Sequence, residues 1–230
     1  MFFSIDIWVL LVYNSKCKEE RSDDKMPNWC RTEIRYLSDN KKSLSDFEKK
    51  LNEWKEQETY YLETLALKSG VAQKKDNRII DEEGHEVYCR GQITDISLEN
   101  DYLYIEIWEA WSPHLRIWDL LRKKYLPNAE LLFTADEEGE DILFTNDSSY
   151  EGIYCIDILE DWFSEEDFLK VFNLDVHGTD EKTLADMLRR ILHSDKTDID
   201  ELISNYENSE YYEYFIIRKW DYDKDIECLM

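Results

Sequence analysis

Hydrophobic positions recur along this chain with two different periods, and each change of period marks a new element. A strand is predicted at Thr32–Leu37. Leu44, Phe47, Leu51 and Trp54 then fall at i, i+3, i+7 and i+10, one face of a 3.6-residue repeat, which predicts a helix over about Ser43–Gln57. Ser43 with Asp46, or Ser45 with Glu48, supplies the reciprocal cap at its start. Residues 59–85 mix polar and apolar positions without a clear period, and KKDNRIIDEEGH reads as a loop or insertion. Strands are predicted at Val87–Leu98 and Tyr102–Ala110, joined through Glu99, Asn100 and Asp101 as a hairpin. In the second of these, Leu103, Ile105 and Ile107 alternate with Tyr104, Glu106 and Trp108.

Ser112-Pro113 opens the next helix, with Ser as N-cap and Pro at the first helical position, where its missing N–H costs nothing. Leu115, Trp118, Leu121 and Tyr125 form its apolar stripe and Pro127 stops it. Strands follow at Glu130–Ala135, Asp141–Thr145 and Gly152–Ile158, with DEEGED at 136–141 as a solvated hairpin tip. The remainder turns helical. Ser164 caps one helix, whose first turn carries Glu165, Glu166 and Asp167. A second runs from Glu181 to His193, and a third starts near Thr197 with Ile199, Leu202, Ile203 and Tyr206. Tyr211–Lys219 is the last predicted strand.

The order strand–helix–strand–strand–helix–strand over residues 32–135 is that of a split βαβ, ferredoxin-like arrangement. The expected fold is therefore α+β: an antiparallel ferredoxin-like sheet with helices on one face, followed by an acidic strand-and-helix C-terminal extension. Residues 1–25 are read as an N-terminal extension, 26–148 as the ferredoxin-like domain and 149–230 as an acidic helical region. The apolar run Ile7–Tyr13 is too short to span a bilayer, and Asp6 with no small-residue cleavage site argues against a signal peptide. Met26 is an alternative start.

Charge changes the picture more than composition does. The chain carries 53 acidic and 28 basic residues, a net charge of −25, with 43% hydrophobic and 14% aromatic positions. So apolar a chain folds, but so negative a surface does not hold a phosphate backbone or an anionic membrane, both of which need clustered Lys and Arg. The imbalance is uneven: 24 acids face 20 bases in residues 1–125, and 29 face 8 in residues 126–230. An acidic face is thus expected in the second half, either as a solubilising coat or as a surface matched to a basic site. Carboxylates interleaved with Tyr and Trp imitate a phosphate backbone. The residues expected to contact such a partner are Glu137, Glu138, Glu140, Asp141, Glu160, Asp161, Glu165, Glu166, Asp167, Glu207, Glu210 and Glu213.

Tests for chemistry return little. Cys17, Cys30, Cys89, Cys155 and Cys228 are odd in number and lack any CxxC, which speaks against a disulfide framework, zinc or an iron–sulfur cluster and for a reducing cytosol. His85, His114, His177 and His193 are scattered, with no i, i+4 pair for a helical metal site. DYDKDIE at 221–227 opens like a calcium loop but lacks the turn glycine and a closing Glu. No phosphate loop, dinucleotide glycine pattern or nucleophile elbow is present. Trp29 with Cys30 reads as core, and Trp108, Trp111 and Trp118 as one aromatic cluster packing helix on sheet.

MPNWC at 26–30, leading into a strand, and WEAWSPHLRIWDLLRKKY at 108–125, with EDILFTND at 140–147, resemble the YubB type of phage and plasmid proteins. The resemblance spans roughly residues 26–160 and departs in the first 25 residues and in the acidic tail. It implies a ferredoxin-like domain and a mobile-element or bacterial origin, and supplies no reaction. The expected function is a non-enzymatic, cofactor-free cytoplasmic binding protein engaging a basic protein, for example as an inhibitor of a nucleic-acid-binding defence enzyme. A metal-assisted hydrolase on the acidic half and a small structural or regulatory module are the alternatives.

Overall fold

Strand β1 (Trp29–Leu37) sets the frame, because its side chains divide cleanly between two faces. Cys30, Thr32, Ile34 and Tyr36 are buried, while Arg31, Glu33 and Arg35 take the opposite face. The computed structural model describes residues 28–55, 60–137, 142–158, 175, 178–213 and 215–223. After β1 come α1 (Lys41–Trp54), α2 (Leu62–Ser69), β2 (Gln73–Lys75), β3 (Arg78–Ile80), β4 (Gly91–Leu98), β5 (Tyr102–Ala110) and α3 (Leu115–Tyr125). Then follow β6 (Glu130–Glu137), β7 (Ile142–Thr145), β8 (Ile153–Ile158), β9 (Thr179–Asp180), α4 (Glu181–Leu192), α5 (Ile199–Glu207), β10 (Phe215–Lys219) and β11 (Asp221–Tyr222). Among the described residues no helix is long and apolar enough to cross a membrane.

The protein is α+β. Its main sheet has six strands in the order β11-β7-β6-β1-β5-β4, antiparallel except where β11 lies parallel to β7. Helix α1 buries Leu44, Phe47 and Leu51, each contributing about 1.5–3 kcal/mol by leaving water. Its cap is Asn40, whose side chain accepts from the Ser43 N–H at 3.1 Å, and not Ser43 or Ser45. An Asn there places its oxygen over the free N–H of the third helical residue while its own backbone stays outside the helix. Phe47, Trp54 and Tyr125 join α1 to α3, with ring centroids 5.4–6.4 Å apart. Tyr36 ties the sheet to α3 by donating to the Trp118 carbonyl at 2.7 Å. The three tryptophans expected in one cluster are separated. Trp118 is fully buried, Trp111 is exposed in a turn, and Trp108 sits opposite Arg31, on the face away from the buried side chains of β1.

Residues 59–85, read as irregular, contain α2 and the β2–β3 hairpin. Helix α2 closes on Gly70 in the left-handed conformation, and α3 satisfies its last carbonyls. Lys124 donates to Ser69 and Gly70, and the Tyr125 hydroxyl donates to Ser69 at 2.6 Å. The strand expected from Val87 starts only at Gly91. A Cβ on Gly91 would lie 2.7 Å from the Trp108 carbonyl oxygen and 3.1 Å from the Glu109 Cα. Both are backbone atoms that cannot yield without moving β5. Gly91→Ala is therefore expected to cost about 1–3 kcal/mol in urea unfolding; an unchanged midpoint would mean the two strands spread freely.

A second, smaller core lies beyond β7. β10, β8 and β9 form a three-stranded sheet with α4 and α5 packed on it through Tyr154, Ile156, Leu184, Met187, Leu188, Leu202, Tyr206 and Phe215. Strands β8 and β10 lie where strands are expected, at Gly152–Ile158 and Tyr211–Lys219, and the short β9 is not expected. Asp180 and Asp198 cap the two helices by accepting from Thr183 and Glu201. The strand expected from Tyr211 begins at Phe215, after a 3-10 turn at Glu210–Glu213. Asp221 and Tyr222, part of the segment weighed as a calcium loop, form β11. Arg218 of β10 bridges Asp157 of β8 and Asp136 of β6, joining the two sheets. The helix expected after Ser164 lies outside the described residues.

Candidate functional site

Two segments some 80 residues apart, residues 28–31 and 108–111, meet at one corner of the main sheet. Trp29 pairs with Ala110, Cys30 with Glu109 and Arg31 with Trp108. The Trp111 N–H donates to the Asn28 carbonyl at 2.8 Å, and the Ala110 N–H donates to Arg90 at 2.9 Å. Held this way, Trp111 adopts a φ of 76°, a strained conformation for a bulky side chain. The chain then turns through Ser112 and Pro113, and α3 begins at Leu115 with His114 as its N-cap. Ser112 is not the cap. The turn imposed by Asn28 delays the helix, and no side chain caps it; the Glu109 carboxylate instead lies near the His114 backbone N–H. Beside this turn opens a groove of about 380 Å³, bounded by Glu86, Tyr88, Trp111, Ser112, His114 and Arg116.

Behind the groove lies an uncompensated polar pair. Glu109 occupies the inward position that follows Leu103, Ile105 and Ile107, and is fully buried. The Thr32 hydroxyl, the Trp118 indole and the His114 backbone N–H favour its ionised form, yet no hydrogen bond of full geometry reaches either oxygen. Burial wins and raises the carboxyl to about 7. The His114 side chain is 10% exposed, and its Nδ1 lies 3.8 Å from Glu109 Oε1 without a hydrogen-bond partner. Burial lowers the imidazole to about 4, so it is neutral at physiological pH. The carboxyl and the imidazole thus face each other in the interior, with both Glu109 oxygens and His114 Nδ1 shut off from water. A nucleophile is not at hand in Cys30, whose thiol burial pushes up to about 12.

On the far side of Arg116 stand Asp81, Glu83 and His85, whose ligating atoms lie within 4.8 Å of one another. The place a metal ion would take is filled by the Arg116 guanidinium, which bonds the buried Asp81 and lies 2.9 Å from His85 Nδ1. Asp81 also accepts from the backbone of Glu83 and His85, and these donors with Arg116 hold its carboxyl below the usual range.

The acids expected at a partner surface divide differently. Glu137 is only 2% exposed at the end of β6 and is not a surface group. The inward alternation of that strand, Leu131, Phe133, Ala135, carries it into the core. Glu207 is exposed on α5, and Glu210 and Glu213 lie in the 3-10 turn. Glu138, Glu140, Asp141, Glu160, Asp161, Glu165, Glu166 and Asp167 lie outside the described residues. Other acids of the second half are tied up structurally. Asp147 accepts from Ser149 and pairs with Arg35 at 2.6 Å, and Asp136 and Asp157 hold Arg218.

No family model, curated protein or solved structure matches the chain. The corner itself was missed by motif reasoning, which sought spaced signatures. One local signal does mark it: a glutamate at the fourth inward position of β5.

Proposed function

We propose that the chain is a non-enzymatic binding protein of a mobile element whose acidic surface engages a basic, nucleic-acid-binding protein in the cytoplasm. Inhibition of a defence nuclease is one concrete form. The observation that carries this reading is the surplus of 29 acids over 8 bases in residues 126–230. Structural pairing absorbs only part of it: Asp195, Asp200 and Glu207 on and beside α5 stay exposed, with no ion pair among the described residues. Among the described residues, Arg31, Arg35, Arg116, Arg122, Arg189 and Arg218 each face a carboxylate and do not offset them as a phosphate-binding patch. For the main sheet we propose a ferredoxin-like core, supported by the antiparallel order β6-β1-β5-β4 with α1 linking β1 towards β4 and α3 linking β5 to β6.

The test is retention of basic nucleic-acid-binding proteins on the immobilised chain across a salt series from roughly 0.05 to 0.5 M, which shortens the screening length severalfold. Retention should fall steeply with salt, be displaced by heparin, and weaken when Asp195, Asp200 and Glu207 are replaced by Asn or Gln. Salt-independent retention, or none, would contradict the proposal.

A further inference from the structure

We propose that Glu109 and His114 form a proton-operated switch that sets the hydrogen-bonding polarity of the groove beside the Trp111 turn. With the carboxyl protonated, the outer ring nitrogen of His114 is a donor towards the groove. With the carboxyl ionised, the same nitrogen is an acceptor. The switch does not depend on the acidic surface of the second half.

Glu109 is fully buried, and its surroundings hold no charge to answer its own. It lies opposite Cys30 of β1 and Gly91 of β4, with Thr32 approaching from β1 and His114 and Trp118 from α3. Across β1, Asp136 and Glu137 of β6 act on Cys30, whose thiol burial holds at about 12. Among the described residues neither lysine nor arginine pairs with Glu109. His114 is the one titratable group that meets its oxygens, with Nδ1 at 3.8 Å from Oε1. Of the two ring nitrogens only Nδ1 is shut off from water without a partner, and the ring lines the groove, so Nε2 is the nitrogen on the groove side. Around it stand Tyr88, with ring centroids 6.3 Å apart, Glu86, and Arg116, which is committed to Asp81.

A neutral imidazole carries one proton, and what one nitrogen faces decides which of the two holds it. A protonated carboxyl directs its O–H to Nδ1, which accepts, and the ring proton sits on Nε2. An ionised carboxyl only accepts, and two acceptors facing each other in a dry interior repel. Placing the ring proton on Nδ1 removes the conflict and leaves a lone pair on Nε2. The step balances: the carboxyl proton passes to Nδ1, the Nε2 proton leaves to solvent, and the ring stays neutral. In either form a closure of about 1 Å completes the bond. The change falls near neutrality, because burial raises the carboxyl to about 7 and lowers the ring to about 4. The Ala110 carbonyl also favours a proton on the ring.

The test is a long-range proton–nitrogen NMR spectrum of the full chain carrying isotope-labelled histidine, in which protonated and bare ring nitrogens resonate far apart. The His114 signals are those lost in His114→Asn. At about pH 5.5 the ring proton is expected on Nε2, and at about pH 8.5 on Nδ1, whose protonated form should be at least about tenfold more populated there. The Glu109 carboxyl carbon should titrate with the same midpoint, near 7, a reading that needs no substitution. Glu109→Gln keeps the shape and cannot ionise, so its His114 tautomer should be the same at both pH values. One tautomer throughout in the parent overturns the switch. So does a doubly protonated ring at the higher pH, or a tautomer change that persists in Glu109→Gln.

Discussion

Glu109→Gln should leave stability nearly unchanged at pH 4.5 and raise it by about 3 kcal/mol at pH 7.5, relative to the parent chain. The reason is the mismatch between folded and unfolded titration. In the folded protein the Glu109 carboxyl keeps its proton to about 7, whereas its ordinary value is 4.5. Between those values the unfolded chain has lost a proton that the native state holds, so stability falls as pH rises. At about 1.4 kcal/mol per pH unit the gap amounts to about 3 kcal/mol. His114 works in the opposite direction. Its imidazole is lowered from 6.5 to about 4, so the unfolded chain binds the extra proton and stability rises with pH across that interval. In the parent the two slopes oppose one another from about 4.5 to 6.5 and nearly cancel, leaving a decline only as Glu109 completes its titration near 7. Removing the carboxyl exposes the histidine slope alone, and stability should climb from pH 4 to 6.5. Urea midpoints at four pH values read this directly. A difference between variant and parent that does not change with pH would show that Glu109 titrates as an ordinary carboxyl.

Arg218→Met should cost about 2–3 kcal/mol and separate the unfolding of the two cores. The Arg218 side chain is 6% exposed, with Nη1 2.8 Å from Asp136 and Nε 2.5 Å from Asp157. Burial pushes the guanidinium down, but the two carboxylates outweigh it and hold the charge above its ordinary range. Deleting the cation leaves two acids facing each other at a partly dry junction. A fully buried pair would cost about 3–5 kcal/mol, and the loss here is smaller because both aspartates keep about a third of their exposure. Asp136 belongs to the main sheet and Asp157 to the smaller one, so the loss falls on their coupling. Calorimetry should resolve a lower-melting transition for the α4–α5 core, and Asp136→Asn with Asp157→Asn in the same chain should restore most of the lost stability. A single transition at the parent temperature would assign the coupling to the β11–β7 pairing and the Tyr150–Trp220 ring contact instead.

Elements with a long stripe were legible in advance. Leu44, Phe47, Leu51 and Trp54 predicted α1 to within a few residues, and the helix expected over Glu181–His193 is α4, one residue shorter. Helix α2 escaped because its eight residues are too few to declare a period or to hold a helix alone. It depends on docking and on a C-terminal cap delivered by Lys124 and Tyr125 from more than 50 residues away. The start of α3 was misplaced for a related reason. Ser112-Pro113 is a sound local cap, but the contact from Asn28 to Trp111 sets the turn. The groove site was half legible: alternation along β5 carries Glu109 inward, though nothing local places His114 and Trp118 beside it.

By itself the sequence determined the alternation of strands and helices, the α+β class and the size and sign of the charge, since each follows from local backbone periods or from counting. Tertiary structure alone decided where that charge went. It buried Glu137 and Glu109, locked Asp136, Asp147 and Asp157 onto arginines, and left Asp195, Asp200 and Glu207 in water. A carboxylate's role is set by what faces it across strands distant in the chain, and no window of neighbouring residues contains that partner.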